Sequence, residues 1–138
     1  MNLIAKTAIH EVYHSHALIQ EWFNGTDKAT PQLLDQLLIM FSPDFLMINP
    51  KGSKLNRSDL ECFFLSMRGA RPNVRIEVTE PKVILSGDNY CILRYEELQY
   101  MEREVLHRLS TAVFVSDNNG GVLWHHLHET WALPKEDK

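Results

Sequence analysis

Hydrophobic and polar positions in the first half of the chain repeat with the spacing of amphipathic helices. Apolar side chains recur every three or four residues between residues 3 and 23, and Gly25 follows as a stop signal. Thr30 precedes a proline and a leucine-rich run, which predicts a second helix beginning there. Asn56 caps a third helix, whose apolar stripe includes Phe64. The pattern therefore predicts three helices in the first half of the chain.

Beyond residue 72 the apolar positions recur with a period of two, which is typical of strands. Turn signals rich in Gly, Asn and Asp separate these segments. The predicted strands cover residues 74–78, 82–85, 90–100, 106–115 and 122–133, and a short apolar run predicts another at 45–48. Helices followed by strands in meander order form an α+β pattern, in which the helices cover one face of an antiparallel sheet.

The last predicted strand carries two tryptophans and three histidines without a glycine or proline. Regular alternation would place Trp124, His126 and His128 on one face, and Glu129 and Trp131 on the other. Neither face is wholly apolar or wholly charged. We therefore expect a central strand of a curved sheet, with one face packed and the other lining a cavity.

Composition limits the classes of function. The chain has 138 residues, which predicts one domain over residues 1–138. Its net charge of -4 argues against a nucleic-acid partner held by phosphate neutralisation. No segment has the apolar run of a signal peptide or a membrane span, and the two cysteines have no metal or disulfide spacing. These features predict a cytoplasmic protein with no membrane partner.

Several segments in this order resemble one known family. They are residues 41–45, the turn at 49–52, the third helix, the turn at 86–88, and residues 95–100, 110–114 and 124–128. The chain resembles the nuclear transport factor 2-like superfamily, in its SnoaL-like and calcium/calmodulin-kinase association-domain-like branch. The resemblance implies a cone-shaped α+β fold: three N-terminal helices pack on a curved antiparallel or mixed sheet, enclose a pocket, and leave the convex sheet face to pair with a second subunit.

Within that resemblance, kinase association domains carry arginines inside the pocket. The approximate counterparts here are Glu96 and Ala112, so an anion-binding pocket of that type is not expected. Glu96 and Glu97 alternate on an apolar strand, and a buried carboxylate without a partner is costly. One of the two should face the pocket or a subunit interface, paired with Arg108 or a histidine. There it would suit acid–base work; the alternative is a cross-strand ion pair or a solvated face.

The histidines near the C-terminus allow two interpretations. His126 and His128 have the spacing of metal ligands on a strand, but no further ligand is evident, so neither a metal nor a cofactor is predicted. His128 is instead a candidate hydrogen-bonding or catalytic group, or a structural histidine. Asp44 stands where several catalytic relatives place an acid near the pocket, although a turn residue has the same sequence context.

Three hypotheses of function follow. The first is a homodimer that binds a small apolar or aromatic molecule. The second is a cofactor-independent isomerase, polyketide cyclase or dehydratase that uses a histidine and a carboxylate for proton transfer. The third is a non-catalytic oligomerisation module. The candidate catalytic residues are Glu96, His128 and Asp44, and the candidate ligand-binding residues are Tyr13, Phe64, Glu97, Trp124 and His126, of which the aromatic ones could equally be core.

Overall fold

The computed structural model describes residues 1–134, in which three helices precede most of a seven-stranded sheet. The helices are α1 (Leu3–Asn24), α2 (Pro31–Leu38) and α3 (Arg57–Met67). The strands are β1 (Phe41–Ile48), β2 (Lys54–Asn56), β3 (Arg75–Val78), β4 (Lys82–Ser86), β5 (Tyr90–Tyr100), β6 (Val105–Ser116) and β7 (Val122–Trp131). The α+β prediction is confirmed.

Local signals account for the helix bounds. The Thr30 side chain accepts a hydrogen bond from the backbone of α2, and a proline occupies the first turn of that helix. Asn56 and Asp59 form a reciprocal capping box at the start of α3. Gly25 ends α1 with a φ of 66°, a left-handed conformation that glycine adopts without steric cost.

The sheet is mixed and its strands follow the order β2-β1-β7-β6-β5-β3, with β4 also paired to β5. β1 runs parallel to β7, and the other pairings are antiparallel. Helix α1 contacts strands β3, β4, β5 and β7, while α3 contacts β1 and β2. Helices therefore cover one sheet face and, within residues 1–134, leave the other, convex face uncovered.

Close packing of α1 against the end of α3 holds the helical layer together. A Cβ on Gly25 would lie 2.5 Å from the Cα of Gly69, so the two backbones meet where no side chain fits. The indole of Trp22 donates a 2.6 Å hydrogen bond to the carbonyl of Phe64. These contacts hold the aromatic face of α3 over the sheet.

The first strand is longer than predicted. β1 begins at Phe41 and contains Pro43, whereas the sequence predicted a strand only from residue 45. Its pairing with β7 is irregular between Phe41 and Leu46, and this irregular stretch accommodates a proline that has no backbone N–H to donate. The short β2 was also not predicted.

A bulge in β7 reverses the expected orientation of its side chains. Val113 of β6 pairs with His126, but the next residue of β6 pairs with Trp124, so His125 is an extra residue. Trp124 and Leu127 are consequently both buried, while His128 is exposed. The expectation that Trp124, His126 and His128 share one face is therefore wrong, because the bulge changes the alternation within the strand.

Candidate functional site

A cavity of about 260 Å³ lies between the helices and the concave face of the sheet. Much of its wall is aromatic. The aromatic lining residues are Phe23, Phe41, Phe63, Phe64, Tyr95, Trp124 and Trp131. The polar and charged lining residues are His16, Asn49, Lys51, Arg71, Glu97, Gln99, Arg108 and Glu129. The cavity thus combines an apolar wall with a concentrated set of ionisable groups.

Alternate residues of β5 face the cavity, and Glu97 is among them. Glu97 accepts a 2.9 Å hydrogen bond from Nε2 of His16, which reaches the sheet from α1. The Nδ1 atom of His16 lies 2.7 Å from the carbonyl oxygen of Val12, which can only accept, so Nδ1 is the donor. Gln99 donates to the other oxygen of Glu97 and accepts from Arg71.

This arrangement corresponds to a buried ion pair. Burial alone would raise the pKa of Glu97, but the charge and hydrogen bond of His16, together with Arg108 and Gln99, lower it to about 2. Burial alone would lower the pKa of His16, and the Glu97 carboxylate raises it instead. Glu97 is therefore charged near neutral pH, and His16 is charged with it because both of its ring nitrogens contact oxygens that accept hydrogen bonds.

A second carboxylate, that of Glu129, lies in a different environment from that of Glu97. Glu129 of β7 accepts a 3.1 Å hydrogen bond from Nη1 of Arg108 on β6 and a long one, at 3.5 Å, from the hydroxyl of Ser110. Burial and the nearby charge of Glu97 raise the pKa of Glu129 to about 7, despite the opposing effect of Arg108. At neutral pH this group readily gains or loses a proton.

Three buried polar atoms of cavity-lining residues have no hydrogen-bond partner among the described residues. They are the Tyr95 hydroxyl, Nε of Arg108 and Nε1 of Trp124. Burial and the charges of Glu129 and Glu97 raise the pKa of Tyr95 well above its usual value, against the opposing effects of the nearby Ser110 hydroxyl and of Arg108, so the Tyr95 hydroxyl keeps its proton. An unsatisfied buried donor costs about 1–3 kcal/mol, so these atoms favour a bound group that accepts hydrogen bonds.

The cavity brings together three of the predicted site residues: Phe64, Glu97 and Trp124. The other five do not line it. Asp44 is exposed on β1, and Tyr13 is 44% exposed on α1. Glu96 and His128 line a second groove on the convex face, because alternation turns Glu96 outward and the bulge turns His128 outward.

His126 lies outside both cavity and groove, on the convex side of the bulge. Among residues 1–134, no three His, Cys, Asp or Glu side chains are grouped so that they could hold a metal ion. Several lining residues were not predicted from the sequence. His16 was read only as part of the helical stripe of α1, and Arg71 was not placed in the pocket. Arg108 was named only as a partner, alternative to a histidine, for a glutamate facing the pocket or a subunit interface. The only available signal was a polar residue within an apolar pattern.

The comparisons identify the fold family. A crystal structure of a nuclear transport factor 2-like protein of unknown function from Pseudomonas aeruginosa is 35% identical. The match covers 90% of this chain and 97% of that chain, with a TM-score of 0.85. The chain belongs to the nuclear transport factor 2-like superfamily. No family model and no curated protein matches the chain.

More distant nuclear transport factor 2-like structures share the fold alone. The kinase II hub homology domain of a Chlamydomonas alga is 18% identical, with a TM-score of 0.66 over 91% of this chain and 98% of that chain. A ketosteroid isomerase-like protein from Erwinia carotovora is 11% identical, with a TM-score of 0.61 over 94% of this chain and 98% of that chain. These neighbours share the fold that the family resemblance implied.

One finding qualifies what the resemblance implied. The cavity does contain arginines, Arg71 and Arg108, although the positions first compared with the kinase association domains hold Glu96 and Ala112. These arginines come from the segment before β3 and from β6, so a comparison of single positions does not reveal them.

The helices were also compared with the requirements of a membrane span. None of those within residues 1–134 combines the length and the apolar character that a span needs.

Proposed function

We propose that the cavity binds a small molecule with an aromatic or apolar body and a polar end that accepts hydrogen bonds. The supporting observation is the juxtaposition of an aromatic wall with buried, unpartnered donors on Tyr95, Trp124 and Arg108. A cavity of about 150 Å³ holds benzene, so the 260 Å³ here suits a molecule of one or two rings.

The test uses 2-tetralone and benzamide as uncharged probes, each of which accepts hydrogen bonds through its carbonyl oxygen. Trp124 and Trp131 line the cavity, so binding should change tryptophan fluorescence, and calorimetry would give the affinity. The variant Met47→Trp would fill the cavity and abolish binding. Its control, Ile84→Trp, places the same side chain at an exposed position of β4 and should bind normally. Equal binding by both variants would contradict the proposal.

A second candidate is a proton-transfer enzyme, and Glu129 supports it. A general base is most effective when its pKa lies near the operating pH, and the pKa of Glu129 is raised to about 7. Glu129 would transfer the proton in place of the predicted histidine–carboxylate pair, because His16 and Glu97 are hydrogen-bonded to each other. Exchange of the α-protons of 2-tetralone into D₂O, followed by NMR, should be accelerated by the protein and lost in Glu129→Gln. Equal rates with and without protein would exclude this activity for that substrate class.

We further propose that two copies pair through the convex sheet face. Val105 and Leu109 are 52% and 42% exposed there, and several structural neighbours are kinase association domains. Light scattering after gel filtration should give the mass of a dimer. Leu109→Glu should produce a monomer, whereas Ile39→Glu, at an exposed position after α2, should not. A monomeric wild-type protein at micromolar concentration would contradict this assembly.

A further inference from the structure

The charged groups around Glu129 come from every element packed against it. Strand β6 contributes Arg108, β5 contributes Glu97 and the Tyr95 hydroxyl, and α1 contributes His16. Arg71, from the segment before β3, lines the same cavity, and Lys51 lies in the turn after β1. Three cationic groups, those of His16, Arg71 and Arg108, therefore act on two carboxylates, one of which protonates readily.

The two arginines are incompletely neutralised. The guanidinium of Arg71 donates to the neutral amide of Gln99, not to a carboxylate. Burial and the positive charge of Arg108 lower the pKa of Arg71, and the carboxylates of Glu97 and Glu104 offset this only in part. Arg108 gives Glu129 a single Nη1 contact and keeps its Nε unpartnered, although guanidinium and carboxylate groups can form two parallel hydrogen bonds.

The two carboxylates differ in how firmly they are held. Glu97 accepts from both His16 and Gln99, and these contacts occupy its two oxygens. Glu129 has one contact of normal length, with Arg108, and a long one with Ser110. Glu129 is therefore the carboxylate that an incoming anion can displace. Protonation of Glu129 removes a charge that would otherwise be left buried without a partner.

Resting on the proposed function above, we infer that the ligand is a small monoanion with a one- or two-ring apolar body, which displaces Glu129 from Arg108 while Glu129 takes up one proton from solvent. The anion then forms the paired hydrogen bonds with Arg108 that Glu129 does not make. The Glu129 carboxylate becomes a neutral carboxylic acid, so the total charge of the cavity is conserved on binding.

The test compares two anions with their uncharged amides, which match them in size: benzoate with benzamide, and 2-naphthoate with 2-naphthamide. Titration calorimetry at pH 6 and pH 8 gives affinities, and buffers of different ionisation enthalpy report proton uptake. The anions should bind more tightly than the amides. Their affinity should fall about tenfold from pH 6 to pH 8, as the protonated fraction of Glu129 falls.

Two variants separate the contributions. Glu129→Gln should bind the anions equally at pH 6 and pH 8, with no proton uptake. Arg108→Met should lose the preference for anions, whereas its control Arg94→Met, at an exposed position of β5, should retain it.

Each outcome has a distinct meaning. Equal, pH-independent binding of anions and amides would overturn this inference and leave the proposed function standing. Anion preference without pH dependence would overturn the proton exchange. Binding of neither member of either pair would overturn both proposals.

Discussion

Glu96 and Glu97 are neighbours on β5, and each forms a hydrogen bond with a histidine. Glu96 lies 2.6 Å from Nε2 of His107 on the convex face, where its side chain is 46% exposed. Glu97 lies 2.9 Å from Nε2 of His16 in the cavity, where its side chain is only 6% exposed. The two pairs have the same chemistry, so any difference in their energetic importance arises from burial.

Burial changes the consequence of losing a partner. On the convex face of a single protomer, water can solvate either side chain if the other is removed, so the pair contributes little to the stability of the protomer. In the cavity, removal of one partner leaves the other desolvated, and Arg71 and Gln99 also depend on the same carboxylate. We therefore expect the concave face to be sensitive to charge and the convex face to tolerate its loss.

The largest expected effect comes from Glu97→Gln. Breaking a buried ion pair by removing one charge should reduce the free energy of unfolding by about 3–5 kcal/mol at pH 7. The matched substitution Glu96→Gln should reduce it by only about 0–1 kcal/mol. Urea denaturation followed by circular dichroism measures both. Similar losses for the two variants would show that burial does not separate the two pairs.

The second prediction concerns Glu129, whose raised pKa makes its ionisation destabilising. The folded value of about 7 lies above the ordinary 4.5, so the folded state binds the proton more tightly than the unfolded state between these values. The free energy of unfolding should therefore fall as pH rises from 4.5 to 7. Glu129→Gln removes this loss and should stabilise the protein by about 3 kcal/mol at pH 8.

The difference in the free energy of unfolding between wild type and Glu129→Gln reports mainly on the ionisation of Glu129 and not on the His16–Glu97 pair. Stability from Glu97, whose pKa is lowered to about 2, is present above pH 4.5 and is lost below it. Stability from His16, whose pKa is raised, is lost as pH rises above 6.5. The His16–Glu97 pair is present in both proteins, and Glu129 is only the smallest of the causes that raise the pKa of His16. Urea denaturation at pH 5 and pH 8 measures the difference, and a difference that does not change with pH would contradict the raised pKa.

The sequence predicted the fold better than the site because the two depend on different kinds of information. Helix stripes, capping residues and turns act over a few positions, so the three helices and most strands could be predicted. The pair formed by His16 and Glu97 joins residues 81 positions apart, and neither alone indicates the other. Alternation showed that Glu96 and Glu97 face opposite ways, but which one faces inward depends on the helices that cover the sheet.

The bulge at His125 explains the other failure. A single extra residue changes which side chains face the cavity, and no glycine or proline marks its position in β7. The ring of His125 forms a 3.2 Å contact with the Ser42 hydroxyl of β1, across the irregular part of that strand. The residue that disrupts the pattern is thus supported by a neighbouring strand, which a local pattern does not include.

The smallest expected effect is on Tyr95, whose hydroxyl is buried without a partner. Tyr95→Phe removes a polar atom that gains no hydrogen bond from folding, so the free energy of unfolding should change by less than about 1 kcal/mol and could rise. Binding of 2-naphthoate should nevertheless weaken, since a donor to the ligand is lost. Tyr100→Phe, on the convex side of β5, is the control and should leave affinity unchanged.

A loss above about 2 kcal/mol in the free energy of unfolding of Tyr95→Phe would mean that the Tyr95 hydroxyl has a hydrogen-bond partner within the protein. In that case the Tyr95 hydroxyl would not be available to a ligand. Tyr95→Phe and Tyr100→Phe would then differ in their free energies of unfolding and not in their affinities for 2-naphthoate.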